Sequence, residues 1–148
     1  MKTIEQHIDV DVPPATAYAG WKRFDAVPQY MKGVESIHPR GTNRQHWTVE
    51  IGGVRREWDA EICEEIPGKR IAWNSVRGVK NSGCVSFHRI TDDRTRVMLQ
   101  IGYEPKGIVE TAGDLLGIVQ RRVAGDLALF KERVEDGLTP IGDPRVTH

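Results

Sequence analysis

Neither sign of charge is in excess. Lys and Arg total 21 and Asp and Glu total 21, so the formal net charge is zero. A chain balanced this way lacks the basic footprint that binds nucleic acid. It also lacks the polybasic surface that holds a protein to acidic lipid. Cysteine is scarce: Cys63 and Cys84, without CxxC spacing, make no disulfide framework and point to reduced thiols. His7, His38, His46, His88 and His148 stand singly, outside any HxH or HExxH arrangement. No metal site is therefore expected, and no cofactor. No run approaches the roughly 20 apolar residues of a membrane span. The first residues, through His7, lack the apolar core of a signal peptide. The expectation is a cytoplasmic protein without integral membrane insertion.

What is there fits one domain. A chain of 148 residues can bury roughly 70% of its unfolded surface, and its 39% apolar and 28% charged residues are an ordinary globular balance. The one surplus is tryptophan, of which there are four. Their surroundings are the question that the pattern along the chain addresses.

Residues 4–12 alternate, with Ile4, Ile8, Val10 and Val12 on one face and Glu5, His7, Asp9 and Asp11 on the other, the period of a half-buried strand. Pro13-Pro14 closes that strand and starts a helix over 14–24 carrying Tyr18, Trp21 and Phe24. Pro28 then permits a second short helical turn through Tyr30 and Met31. From 33 to 105 strands alternate with turn signals: Gly52-Gly53, Pro67-Gly68, Gly78-Val79-Lys80 and Asp92-Asp93-Arg94. After Pro105 and Gly107 the period lengthens. Val109, Ala112, Leu116, Val119, Val123, Leu127, Phe130 and Val134 form one apolar stripe on a helix of about 28 residues, stopped by Gly137. The fold class is α+β: a curved antiparallel sheet of about seven strands wrapped around a long C-terminal helix, with two short helices after the first strand. Residues 1–136 form the single domain, and 137–148 are expected to be a disordered tail.

Hairpin turns set register. Two-residue turns at Gly52-Gly53 and Pro67-Gly68 put Trp47 opposite Trp58, Val49 opposite Arg56, Ala60 opposite Ser75, Ile62 opposite Trp73 and Trp58 opposite Arg77. Three-residue turns further on put Ser75 opposite Gly83, Gly83 opposite Tyr103, Trp73 opposite Val85 and Val85 opposite Ile101. The concave face then carries rows, of which the middle one (Gln45, Ala60, Ser75, Gly83, Tyr103) is small at its centre and bordered by indoles. Small residues between bulky ones leave volume, the usual form of an apolar small-molecule site. The alternative is that the small row only lets the long helix lie close to the sheet. The opposite face reads as solvated, with Glu50 opposite Arg55 and His46 opposite Asp59, and Glu57, Asp59 and Glu61 pointing outward. Within the long helix, Gly113, Gly117 and Gly125 each cost about 1 kcal/mol relative to Ala. They serve either close packing or a first half, 108–117, able to bend and admit a ligand.

The chain resembles the START/polyketide-cyclase-like (SRPBCC) superfamily, the helix-grip fold, and within it bacterial "cyclase/dehydrase" proteins. The resemblance is carried by Ile8-Asp9-Val10-Asp11-Val12-Pro13 with Tyr18 and Trp21, by Val27-Pro28-Gln29-Tyr30-Met31, and by Trp47-Thr48-Val49-Glu50-Ile51. Further on it is carried by Arg56-Glu57-Trp58-Asp59-Ala60-Glu61-Ile62, Ile71-Ala72-Trp73 and Tyr103-Glu104-Pro105. It covers residues 1 to about 136 and implies a deep hydrophobic cavity between sheet and long helix. The expected lining is Trp47, Trp58, Ala60, Trp73, Ser75, Gly83, Val85, Phe87, Ile101 and Tyr103 from the strands, Met31 from the second short helix, and Ala112 and Leu116 from the long helix. Cyclases of this superfamily work through a few polar cavity groups, and Arg56, Ser75, Arg77 and Tyr103 have suitable types. No cyclase motif maps onto them residue by residue, so no catalytic role carries over.

Two functions follow, and whether the chain is an enzyme stays open between them. The first is binding of an apolar or aromatic small molecule, lipid-, quinone- or polyketide-like. Its support is the aromatic lining and the absence, under this register, of any inward carboxylate or His on strands 44–105, since a general base needs such a group. The second is a polyketide cyclase, aromatase or dehydratase, in which Arg56 or Arg77 holds a developing oxyanion, Tyr103 passes a proton and Ser75 orients a water. A third class is an interaction module: zero net charge eases self-association, and strand 2–12 could pair between subunits of a homodimer.

Overall fold

The computed structural model of the chain describes residues 2–22, 34–51, 53–103 and 115–136. The described elements are β1 (Lys2–Val10), α1 (Pro14–Trp21), β2 (Val34–Pro39), β3 (Arg44–Ile51), β4 (Val54–Ile66), β5 (Arg70–Gly78), β6 (Asn81–Thr91), β7 (Arg94–Tyr103) and α2 (Leu115–Glu135). The strands form one curled antiparallel sheet of seven in the order β1-β7-β6-β5-β4-β3-β2. The long C-terminal helix packs against it, nearest to β1.

The elements form for local reasons. Pro14 suits the first turn of α1, where its missing N–H leaves no orphan, and the amides of Thr16 and Ala17 close on the Pro13 carbonyl at 3.0 Å each. The apolar stripe of α2 buries Val123, Leu127, Phe130 and Val134. These meet Val10, Val12, Ala17, Trp21, Val97 and Leu99 in one core. Trp21 packs edge-on to Phe130 at 5.1 Å between ring centroids. Thr95, fully buried, is satisfied by donating to the Val12 carbonyl at 2.8 Å. The fourth tryptophan, Trp21, is thus a buried core residue packed against α2.

Of the two short helices expected after β1, α1 is present, and the second falls within 23–33, outside the described residues. The same holds for the start of the expected long helix, 108–114, and for the tail. Within α2, close packing does not explain Gly125: it is exposed, and a Cβ there would meet nothing within 4 Å. β1 is an edge strand as expected, but the edge is partly covered at its end. Lys131 donates to the Asp9 carbonyl at 3.1 Å, and Glu135 accepts from the Asp11 amide at 2.7 Å.

Register follows the turns, with instructive departures. β3 and β4 pair as expected, from Arg44 opposite Glu61 to Ile51 opposite Val54. The β4–β5 connection has three residues instead of two, since Ile66 pairs Arg70, and a bulge between Ile62 and Glu64 absorbs the extra one. Ile62 opposite Trp73 and Ala60 opposite Ser75 therefore stand. A second bulge lies between Asp59 and Ala60, on the β5 side. It puts Gly78 opposite Trp58 and swings Arg77 to the outer face opposite Asp59, exposed to solvent. The expected Trp58–Arg77 pairing is corrected accordingly. β5–β6 and β6–β7 are each offset by two residues from expectation: Trp73 faces Gly83, Gly83 faces Ile101, Val85 faces Leu99, and Asn81 faces Tyr103. Because side chains repeat every two residues, an even offset slides the rows without turning any residue over.

Candidate ligand-binding face

The concave face has two unlike ends. At the end near the β3–β4 hairpin, Trp47 and Trp58 stack across the strands, their ring centroids 6.1 Å apart and 11° from parallel. Both are half-buried and pack against the core cluster. Arg56 lies two residues before Trp58 on the same face, opposite buried Val49. Its Nε is buried and has no hydrogen-bond partner among the described residues.

The middle is tighter than the small row suggested. Trp73 lies flat over Gly83, so that a Cβ on Gly83 would fall 2.6 Å from the indole Cε2. The small residue is there to admit the Trp73 ring, and the volume over it is filled. Ala60 is buried, and Gln45 opposite it is only 8% exposed, a polar side chain held on an apolar face. Ser75 is half-buried, and its Oγ accepts from the Asn81 amide at 3.0 Å. Tyr103 is buried beside Ile4, at the edge next to β1 rather than in line with Ser75 and Gly83.

At the other end Val85 and Phe87 belong to the packed core. Phe87 takes the Tyr18 ring edge-on at 5.8 Å. Here the structure supplies a group that sequence reasoning missed. The bulge at Cys63 turns Glu65 to the same face as Ile71, its cross-strand partner, so an inward carboxylate does exist. Tyr18 donates its hydroxyl to Glu65 Oε2, and the Lys22 ammonium sits 2.5 Å from the same oxygen. Lys22 first, then Tyr18, hold the Glu65 carboxyl below the usual range. Burial first, then Glu65, pushes the Tyr18 phenol up to about 12. No turn signal marks a bulge at Cys63; only the three-residue length of the Pro67-Gly68-Lys69 turn hints at the odd count.

Of the other expected lining residues, Ile101 is half-buried at the core's edge. Met31 and Ala112 lie outside the described residues, as does the side chain of Leu116. A cleft of about 410 Å³ lies along a flank of α2, lined by Ile118, Arg121, Arg122, Gly125, Asp126 and Leu129. It involves none of the expected lining residues. The outer face is a charged lattice. His46 reaches Asp59 at 2.6 Å through Nδ1 and Glu57 at 2.8 Å through Nε2. The Asp59 contact first, then Glu57, raise the His46 pKa, and Asp59 is lowered in return. Arg55, opposite Glu50 in the ladder, takes its carboxylate from Glu35 at 2.8 Å instead. No helix among the described residues is long and apolar enough to cross a membrane.

A curled seven-stranded sheet gripping a C-terminal helix over an aromatic concave face is the architecture of a known family. The family model described as polyketide cyclase/dehydrase and lipid transport matches residues 10–132, and the chain belongs to that family. A Streptomyces lincolnensis protein described as an uncharacterised 17.2 kDa protein is 45% identical over 137 residues, 92% of this chain and 91% of that one. Among solved structures, a Deinococcus radiodurans protein is 27% identical with a TM-score of 0.72, covering 93% of this chain and all of its own. The Zhui aromatase/cyclase of a Streptomyces species shares the fold at a TM-score of 0.75 and 17% identity, over 95% of this chain and 98% of that one. START superfamily members are thus its structural neighbours.

Proposed function

We propose that this protein binds an apolar or aromatic small molecule, lipid-, quinone- or polyketide-like, on the concave face between the sheet and α2. The observation that carries this reading is the stacked Trp47–Trp58 pair, two large amphipathic rings left half-exposed on the inner face of the sheet. Indoles in that position offer a flat wall to a conjugated ligand. The family's description, which includes lipid transport, supports the same reading.

The alternative, a cyclase, aromatase or dehydratase acting in the same place, draws on the other half of that description. Arg56, Ser75 and Tyr103 remain its polar groups; Arg77, on the outer face, does not. The inward carboxylate that the fold adds, Glu65, is held anionic by Lys22 and Tyr18. A depressed pKa makes a weak base near neutrality, which favours binding over proton abstraction. Solvent extraction of purified protein, followed by mass spectrometry, should yield a co-purifying apolar compound, and Trp47→Ala with Trp58→Ala should deplete it. An empty extract, together with no quenching of tryptophan emission by aromatic probes, overturns the reading.

A further inference from the structure

We propose that Trp73 is the back wall of the binding face. It is a depth stop that confines the ligand to the hairpin end and restricts it to a compact fused-ring molecule without a long acyl or isoprenoid chain. The inference rests on the binding reading above and narrows the ligand by size.

The wall is built from residues of opposite size. Gly83 stands opposite Trp73 on β6, and the indole takes the volume a side chain there would need, since a Cβ would fall 2.6 Å from its Cε2. Ile62 stands opposite Trp73 on β4, and Ile101 stands opposite Gly83 on β7. Ile62, Trp73 and Ile101 all pack against the core cluster. Together these residues form an apolar bar across β4, β5, β6 and β7. Exposure changes at the bar. On β5 and β6, Ser75 and Asn81 in front of it and Trp73 and Gly83 within it are half-buried. Behind it Ile71, Val85 and Phe87 are no more than 5% exposed, and they meet the apolar stripe of α2 in the core. An interior packed in this way has no space for a further chain. At the far end Tyr18 and Lys22 close on Glu65.

The space in front of the bar is short. Trp58, one of the stacked indoles, lies four residues before Ile62 on β4, about 13 Å at the rise of an extended strand and enough for roughly two or three fused rings. Flat rings also suit the stacked indole pair. An extended chain has two courses. It displaces Trp73, which then gives up its contacts with the core cluster, or its end stays in water. Either course forfeits the gain from burying the added methylenes. Small residues at both 73 and 83 would have left a continuous groove; with Trp73 laid over Gly83 the groove is a blind one. The size class that fits is a compact aromatic, rather than a long-chain lipid or a tailed quinone.

The test uses two neutral fluorescent probes, N-ethyl and N-octyl dansylamide, which share a fused-ring headgroup and differ only in alkyl length. Each is titrated against the full chain by dansyl emission and calorimetry. Every added methylene that is buried tightens binding about fourfold. With the stop in place, the octyl probe should bind no more than about tenfold tighter than the ethyl probe. Trp73→Ala, which opens the wall, should raise the octyl advantage at least tenfold further while changing the ethyl affinity less than about threefold. Trp73→Leu, a milder opening, should raise it partway, and the wild-type comparison decides the question even where neither variant folds. An octyl advantage well above tenfold in the wild type, or an advantage unchanged in folded Trp73→Ala and Trp73→Leu, overturns the depth stop while leaving the binding reading intact. Failure of both probes to bind the wild type overturns the binding reading itself.

Discussion

Gly83→Ala is the sharpest perturbation of the concave face. In an open strand, replacing Gly with Ala is neutral or stabilising, because Gly weakens a strand. Here the added methyl would sit within 2.6–2.8 Å of the Trp73 Cε2 and Cη2 atoms. Real Cβ atoms do not approach ring carbons so closely, so the indole must move. Trp73 is only half-buried and can tilt toward solvent, but tilting uncovers the contacts it makes with the core cluster. Overpacking of this kind costs about 1–3 kcal/mol. Urea denaturation followed by far-UV circular dichroism should show the midpoint falling with an unchanged slope, and tryptophan emission of the folded protein should shift to the red. Pairing the change with Trp73→Ala provides the control. The double variant should lose less than the sum of the two single losses, with a coupling of about 0.5–3 kcal/mol between residues in contact. A neutral or stabilising Gly83→Ala with unaltered emission would mean that the ring does not lie over this glycine, and the account of the middle of the face would fall with it.

Gly125→Ala should have the opposite sign, because its methyl meets nothing within 4 Å on an exposed helix position. A gain of about 0.5–1 kcal/mol in chemical denaturation is expected, and a loss would reveal a contact at that spot. His46 on the outer face is raised above its ordinary 6.5 by Asp59 and Glu57. Its stabilising contribution is therefore full below 6.5 and lost as pH climbs through the raised folded value. The stability difference between wild type and His46→Gln should accordingly shrink with rising pH, and a difference that grows would contradict the sign. Tyr18, with its phenol pushed up to about 12, should ionise well above the ordinary value of 10. The late phase of an ultraviolet absorbance titration should vanish in Tyr18→Phe.

How much of this was legible in the chain depended on turns and bulges. The β3–β4 hairpin was fully readable, because only two residues separate Ile51 from Val54 and no bulge interrupts the ladder. Trp47 opposite Trp58 followed directly. Elsewhere the arithmetic of the turns was altered by bulges, and their parity decided what survived. The two-residue offsets at β5–β6 and β6–β7 kept Trp73, Gly83, Val85, Phe87 and Ile101 on the expected face and changed only their partners. The odd insertions did more damage. One turned Arg77 outward, and the other turned Glu65 inward. A bulge adds a single residue to one strand, and nothing in the run Ile62-Cys63-Glu64-Glu65 distinguishes it from plain alternation. The apolar stripe of the long helix, by contrast, depends on no register, and in its described part Val123, Leu127, Phe130 and Val134 are buried as expected.

The same bulge explains why the two ends of the concave face differ in kind. Where β4 meets α1, polar groups close on one another: Glu65 accepts from Tyr18 and Lys22, while Phe87, Trp21 and Phe130 fill the space between. Satisfied polar groups and edge-on rings make a rigid floor. Where β4 meets the hairpin, the balance is left open, with two stacked indoles and a guanidinium nitrogen that finds no acceptor among the described residues. A chain selected for stability alone would close both ends in the same way, since an apolar residue at half-buried position 56 would remove the unpaired Nε donor. One strand thus carries a closed polar cluster at residue 65 and an open one at residue 56, and the proposed binding function would use only the open end.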